Sequence, residues 1–260
     1  MQTQTRDWAV VTGASSGFGL LFAKELVKKG YPVLAVARRL DRLQALAQEA
    51  QKTGGRIEPL AADLQTAEGL QAVVSRAAAL GPVELLVNNA GFADWGRFSE
   101  LPLAREMNSI QLNVVALVTL TRQFLPGMVE RRRGGIINMA SLQAFFAMPY
   151  LASYAAAKAF VLSFSESIAY ELKDSGVRVT VVCPGPAKTE FADVSTAHDF
   201  QNALPNLSPE AVVAAALDAN ARGRVLRVVG PVNNILSFVP RLLPRAAMRS
   251  LMASFSRPKA

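Results

Sequence analysis

The sequence has very little of the two residues that most often bind transition metals. Its 260 residues include one cysteine, Cys183, and one histidine, His198. A single cysteine excludes an internal disulfide, and a lone histidine, which we expect in a surface or lid loop, argues against a metal site. Cys183 lies in the apolar run VTVVCPG, which predicts a buried strand thiol rather than a reactive one. We therefore predict no metal.

The chain also lacks long uninterrupted apolar runs, although 51% of its residues are hydrophobic. No run reaches the roughly 18 apolar residues that a membrane-spanning helix needs. The polar opening MQTQTRDW does not have the basic start and apolar core of a secretory signal. This composition predicts one domain over residues 1–260 with a full hydrophobic core, and a cytoplasmic location.

Acidic residues are almost missing from the last fifth of the chain. From residue 211 onward there are eight basic residues and one acid, Asp218, while the whole chain has a net charge of +8. The excess positive charge is therefore local. It predicts a basic surface at the C-terminal end and no nucleic-acid partner, because a nucleic-acid-coating protein would carry the charge more widely.

Short β-branched runs alternate with longer helical patterns along the chain. Several of these runs are mostly apolar, as in WAVVT (8–12), VELLVN (83–88) and VRVTVVC (177–183), which is typical of parallel strands buried on both faces. Six alternations and a last strand at 224–229 predict an α/β fold with a doubly wound, Rossmann-like parallel sheet in three layers. The core covers about residues 7–230, with ligands expected at the carboxyl ends of the strands.

Two motifs carry candidate chemistry. TGASSGFG follows the first strand and places glycines where the backbone must turn towards the N-terminus of a helix, which is a potential pyrophosphate site. Its spacing differs from the common dinucleotide pattern, so the turn alone is weak evidence. In SYAAAKAF, Tyr154 and Lys158 lie at i and i+4 on one helix face. The pair is either a half-buried tyrosine beside a solvated lysine or a proton-exchanging pair.

Five motifs taken together resemble the short-chain dehydrogenase/reductase superfamily in its compact single-domain form. They are TGASSGFG, NNAG (88–91), Ser141 thirteen residues before Tyr154, YAAAK (154–158) and PGPAKT (184–189). The resemblance covers about residues 7–230 and implies an oxidoreductase that uses a nicotinamide cofactor. It favours the functional explanation of the tyrosine and lysine pair.

The resemblance implies a catalytic set of Asn113, Ser141, Tyr154 and Lys158. Tyr154 would be the general acid in carbonyl reduction, with the pKa of its phenol lowered by the neighbouring ammonium and by an oxidised nicotinamide. Lys158 would also hold the nicotinamide ribose, and Ser141 would hydrogen-bond the substrate oxygen. Asn113 would support a water chain from the lysine, the alternative being a surface position.

The end of the second predicted strand bears on the choice of cofactor. Members of the superfamily that prefer NAD usually carry an acid there, whereas this chain has Arg38. A guanidinium can bind a 2′-phosphate through two hydrogen bonds, so the resemblance implies NADP(H), unless Arg38 is simply solvated. The implied cofactor-binding residues are Gly13, Ser15, Ser16, Gly17, Phe18, Gly19, Arg38, Arg39, Asp63, Leu64, Asn89, Ala90, Gly91, Tyr154, Lys158, Pro184, Gly185 and Thr189, of which Asp63 could equally cap the helix that follows it.

Apolar residues in the loops after the strands predict the substrate. Phe145, Phe146, Met148 and Phe191 suggest an apolar pocket, although they could instead pack the loops or a subunit interface. The expected reaction is the NADPH-dependent, reversible reduction of a hydrophobic ketone or aldehyde to the alcohol. The alternative is a non-catalytic NADP-binding module that is regulatory or acts at a membrane surface.

A basic amphipathic extension, about 231–260, goes beyond the compact form of the superfamily. Apolar residues spaced i, i+3, i+4 and i+7 from Met248 to Phe255 predict a helix with arginines to one side. Such a helix could lie on an anionic membrane, cover the substrate pocket or contact a partner subunit. The resemblance implies a homodimer or homotetramer, formed through the long helices around 104–130 and 153–173.

Overall fold

The computed structural model describes residues 6–191 and 207–257, so His198 lies outside the described residues. Its centre is a sheet of seven strands in the order β3-β2-β1-β4-β5-β6-β7, and every neighbouring pair is parallel. This confirms the predicted doubly wound α/β fold. The strands are β1 (Trp8–Thr12), β2 (Val33–Ala37), β3 (Ile57–Ala61), β4 (Val83–Asn88), β5 (Gly134–Met139), β6 (Val177–Pro184) and β7 (Leu226–Val229).

Helices cover both faces of the sheet, as the apolar strands require. Successive strand residues point to opposite faces, so Val11 packs in the cluster with Phe22, while Val10 packs in the cluster with Leu120. The helices are α1 (Gly17–Lys28), α2 (Leu40–Lys52), α3 (Ala67–Leu80), α4 (Leu103–Ile110), α5 (Ala116–Glu130), α6 (Ala152–Glu171), α7 (Pro209–Ala221), α8 (Pro231–Phe238) and α9 (Arg245–Ser256).

The strand order reverses at β1, which pairs with β2 on one side and β4 on the other. A crevice therefore opens beyond the carboxyl ends of β1 and β4. Buried Thr12 holds this point together, because its Oγ1 accepts hydrogen bonds from the backbone N–H groups of Asn89 at 2.9 Å and Ala90 at 3.0 Å. Its hydroxyl donates to the Val87 carbonyl at 3.2 Å. The loops after β1 and β4 are thus fixed to each other.

A single π-helical turn, Gln111–Val115, separates α4 from α5 and contains Asn113. By length and composition alone, the continuous helical span Leu103–Glu130 could cross a membrane. It packs instead against β4, β5 and α6, and it buries the polar side chains of Glu106 and Asn113. These contacts identify it as a core helix of the α/β layer, with a widened turn of the kind that is frequent at functional sites.

The C-terminal helix α9 packs on the loops that follow β4 and β5. Trp95 donates from its indole N–H to the Ser256 carbonyl at 2.7 Å, and the Ser256 hydroxyl donates to the Pro149 carbonyl at 2.8 Å. The predicted apolar face of α9 is only partly buried, since Met248 is buried whereas Leu251 and Phe255 are 42% and 56% exposed. Helix α9 therefore contacts the loops after β4 and β5, while its contact with a membrane or a partner subunit stays a prediction.

Replacing Thr12 with valine tests how the two loops are held. Valine keeps the side-chain shape but leaves two backbone N–H groups without their acceptor, and a lost partner of this kind costs roughly 1–3 kcal/mol. We expect the free energy of unfolding in urea to fall by about 2 kcal/mol. Thr12→Ser keeps the hydroxyl and should lose clearly less; equal losses in the two variants would contradict the role of the hydroxyl.

Candidate active site

A cleft of about 340 Å³ opens at the carboxyl edge of the sheet, over the ends of β1, β2, β4, β5 and β6. Its volume is within the range of small-molecule sites. Every residue that was predicted to bind the cofactor lines it, with one exception. The exception is Gly19, where an added Cβ would lie 2.2 Å from the Gly13 carbonyl oxygen. This glycine therefore permits close packing of α1 against the turn and does not face the cleft.

The glycine turn presents the N-terminus of α1 to the cleft. Gly13 and Gly17 have φ angles of 68° and 53°, in the left-handed region that favours glycine. Helix α1 starts at Gly17, and its N-cap, Ser16, makes no side-chain capping hydrogen bond. The first backbone N–H groups of the helix have no partner within the helix, so the turn can receive an anion such as a pyrophosphate.

Tyr154 and Lys158 line the cleft from the first two turns of α6. The Lys158 Nζ lies 5.5 Å from the centre of the Tyr154 ring and donates to the Met139 carbonyl at 2.9 Å. Lys158 is only 5% exposed. The solvated lysine that we considered as an alternative is therefore wrong, and the ammonium is held against the end of β5.

Burial shifts the pKa values of the pair in opposite directions. It raises the pKa of the Tyr154 phenol to about 12, although a hydrogen bond with Ser141 acts to lower it. It lowers the pKa of Lys158 to about 8. Burial therefore governs the pKa of the phenol in the protein by itself, and the expected lowering by the ammonium together with an oxidised nicotinamide stays a prediction.

Ser141 lies at the end of β5 and caps a short 3-10 turn, Leu142–Phe145. Its hydroxyl contacts the side-chain oxygen of Gln143, and an interaction of this hydroxyl with the Tyr154 phenol acts to lower the pKa of that phenol. A hydroxyl has one proton, so it can donate to only one of these partners at a time. Gln143 lines the cleft and was missed in the sequence; its signal was a lone amide within the apolar LQAFFAMPYL.

Asn113 lies behind the cleft rather than on its wall. It is 2% exposed, which rules out the surface position, and its Nδ2 donates to the carbonyls of Phe92 and Ser109, both at 2.9 Å. Its Oδ1 has no hydrogen-bond partner among the described residues. A Cβ added to Gly91 would lie 2.4 Å from this oxygen and 3.5 Å from the Lys158 Nζ. The amide and the ammonium therefore flank the same glycine.

The other end of the cleft is basic. Arg39 donates from Nη2 to the hydroxyls of Ser15 at 3.1 Å and Ser16 at 2.9 Å. Arg38 lines the cleft with an exposed side chain. The sequence had given Arg38 the main role and Arg39 an assisting one, but Arg39 is the one that the glycine turn holds in place. The reason is local: Arg39 is the N-cap of α2 and faces back across the turn.

Asp63 and Leu64 line the same end of the cleft. The alternative role of Asp63 as a helix cap is wrong, because Thr66 is the N-cap of α3 and accepts from the Gly69 N–H at 3.0 Å. The Asp63 carboxylate accepts instead from the Gln65 N–H at 3.0 Å, which fixes its loop.

An apolar cluster borders the candidate catalytic groups. The Phe191 ring lies 5.8 Å from the Tyr154 ring and lines the cleft. Of the four residues predicted to form an apolar pocket, Phe145 packs elsewhere, in the layer beneath. The cluster has a buried centre with partly buried residues packed on it, namely Ala93, Met148, Leu151 and Ala155 with Trp95, Phe146, Tyr154, Phe191 and Met252 of α9.

A parallel sheet with a glycine turn at its switch point is the architecture of a dinucleotide-binding protein. Comparison with known proteins agrees. The profile of the family described as short chain dehydrogenase matches residues 7–199. The chain belongs to this family, which confirms the resemblance found in the motifs.

The relatives and structural neighbours cover most of the chain. An uncharacterized oxidoreductase from Myxococcus xanthus (strain DK1622) is 40% identical over 70% of this chain and 73% of its own. A very-long-chain 3-oxoacyl-CoA reductase from Bos taurus is 31% identical over 92% of this chain and 76% of its own. The structure of a short-chain dehydrogenase from Sphingobium yanoikuyae in complex with NADPH superposes with a TM-score of 0.82 at 29% identity, covering 98% of each chain.

The lowered pKa of Lys158 predicts how stability depends on pH. Its value is about 8 in the folded protein and 10.5 ordinarily, so between these pH values the unfolded chain binds more protons and stability rises with pH. Lys158→Met should remove this rise, which amounts to about 1 kcal/mol between pH 8 and 9. Urea unfolding at several pH values measures it, with Lys52→Met, at an exposed lysine, as control. Parallel curves for wild type and Lys158→Met would contradict the shift.

Proposed function

We propose that the protein is an NADPH-dependent carbonyl reductase that converts hydrophobic ketones or aldehydes to alcohols and catalyses the reverse oxidation. The observation that carries the proposal is the placement of Ser141, Tyr154 and Lys158 on one cleft, between a glycine turn and an apolar cluster. A proton donor, a cation and a hydroxyl beside an apolar wall suit a polarised carbonyl with apolar substituents.

The cleft fits a phosphorylated dinucleotide. Gly13 and Gly17 allow a pyrophosphate to approach the start of α1, and Arg38 and Arg39 supply cations at the opposite end from Tyr154. Thr189 lines the other side of the cleft. When bound, the reduced nicotinamide would supply the hydride. The NADPH in the neighbouring structure from Sphingobium yanoikuyae supports the same cofactor.

Tyr154 acts as the general acid in this proposal. With a pKa of about 12 its phenol is protonated at neutral pH, so it can give a proton from its hydroxyl to the substrate oxygen. Ser141, which lines the same cleft, can donate to the same oxygen and stabilise its developing negative charge. Ser141 is buried and Tyr154 is partly buried against the apolar cluster, so water screens the developing charge less than it would at the surface.

Lys158 supports the reverse reaction, the oxidation of the alcohol. Its pKa of about 8 leaves it mostly protonated at pH 7, and the ammonium next to the phenol ring favours the phenolate that alcohol oxidation needs as a base. Asn113 is positioned beside Lys158 with one unused acceptor, which suits a relay of the proton away from the lysine. Both are positioning residues in this proposal.

Tyr154→Phe removes the proposed acid and should lower kcat by about 10²- to 10⁴-fold, with NADPH binding retained. NADPH consumption is measured against ketosteroids, long-chain 3-oxoacyl compounds and aromatic ketones. Tyr170→Phe is the matched control, because Tyr170 lies on the same helix and is 73% exposed. Equal activity in wild type and Tyr154→Phe would overturn the assignment. Tight NADPH binding without turnover of any compound would favour the non-catalytic module.

A further inference from the structure

One ion-paired cluster at the cleft is unused by the proposed reaction. The Glu190 carboxylate bridges Arg39 and Arg42, with distances of 3.3 Å to the Arg39 Nη1 and 2.7 Å to the Arg42 Nη1. Glu190 follows β6 next to Thr189, while the two arginines lie at the start of α2, after β2. In the sheet order, β1, β4 and β5 lie between β2 and β6, so this ion pair links the two sides of the cleft.

The guanidinium of Arg39 has four of its five N–H groups in hydrogen bonds. Its Nη2 and Nε donate to Ser15, its Nη2 also donates to Ser16, and its Nη1 donates to Glu190. Carboxylates and phosphates are alternative acceptors for the same guanidinium geometry. Glu190 therefore holds the position of an anion at the end of the cleft where a 2′-phosphate would bind.

The ion pair of Glu190 with the two arginines forms without a ligand, but it is weak enough for a competing anion to displace. Hydrogen bonds from Arg42 and Arg39, and their charges, keep the pKa of the Glu190 carboxyl below its ordinary value, so the group is anionic at neutral pH. The side chains of Arg39, Arg42 and Glu190 are 39%, 42% and 44% exposed. Ion pairs exposed to this degree are weak, because water competes for both charges.

We propose that Glu190 competes with the 2′-phosphate of NADP(H) for Arg39 and Arg42, and so sets how strongly the protein discriminates NADP(H) from NAD(H). This role of Glu190 rests on the proposed cofactor. It makes Glu190 a residue that determines cofactor specificity, although it lies outside the catalytic set. Binding of a 2′-phosphate breaks the contacts of Glu190 with the arginines and replaces its carboxylate with a more highly charged anion. A ribose with a free 2′-hydroxyl brings no such anion and leaves the bridge in place.

Glu190→Gln removes the competing charge and keeps the side-chain size. The dissociation constants of NADPH and of 2′-AMP should fall by about 3- to 10-fold, the equivalent of one or two exposed ion pairs. Those of NADH and 5′-AMP should change by less than about 2-fold, since neither carries the 2′-phosphate. Calorimetry or fluorescence titration of the whole chain measures all four, without recourse to turnover.

Glu130→Gln, at an exposed residue on α5 away from the cleft, is the matched control and should leave all four constants unchanged. Glu190→Ala provides a second removal of the charge, should the glutamine fold poorly. Weaker NADPH binding in the variants would overturn the proposal and indicate that Glu190 helps to hold the bound dinucleotide. An equal change in the dissociation constants of both cofactors would also overturn it.

The binding test of Glu190 and the activity test of the proposed function can give different results. If 2′-AMP binds more tightly to Glu190→Gln while wild type turns over no carbonyl, the competition stands and the carbonyl reductase proposal fails. If wild type reduces a ketone with NADPH while Glu190→Gln leaves the affinity for 2′-AMP unchanged, the reductase stands and the competition is wrong.

Discussion

Strand β1 is held in parallel between β2 and β4, because the chain runs from β1 through β2 to β3 on one side and then crosses back to place β4 on the other side. This arrangement puts the ends of two neighbouring strands beside a gap that none of the described helices covers. Thr12 and Gly13 lie at that gap, where one hydroxyl ties the loop after β4 to the turn after β1. The glycine turn, the basic end of the cleft and the groups after β5 all take their positions from this fixed edge.

Burial is the second constraint, and it governs the chemistry of the pair on α6. The same loss of solvent that raises the pKa of Tyr154 lowers that of Lys158, so each group is pushed towards its neutral form. At neutral pH the proton therefore stays on the phenol in the protein by itself, a direction of shift that the spacing of the pair does not indicate.

Much of the site could be read from local patterns. The glycine turn, Ser141 and the tyrosine–lysine pair are each contained in a few consecutive residues, and a strand or helix of the predicted type brings each to the cleft. Contacts between distant segments were not readable in this way. Glu190 hydrogen-bonds with Arg42 although 148 residues separate them along the chain, and Trp95 hydrogen-bonds with Ser256 although the separation is 161 residues. The pattern of apolar and polar residues within each segment does not indicate these long-range contacts.

The order of apolar and polar residues was sufficient for the element types, the parallel sheet and the edge at which a ligand binds, because these depend on short-range periodicity and on the burial of strands on both faces. It was not sufficient for the π turn at Asn113, the packing of Gly19 against Gly13, the hydrogen bonds of Arg39 with the glycine turn or the contacts of α9 with the loops after β4 and β5. Those features depend on which side chains the completed fold brings within hydrogen-bonding distance and on how much water it removes, and both are set by long-range packing.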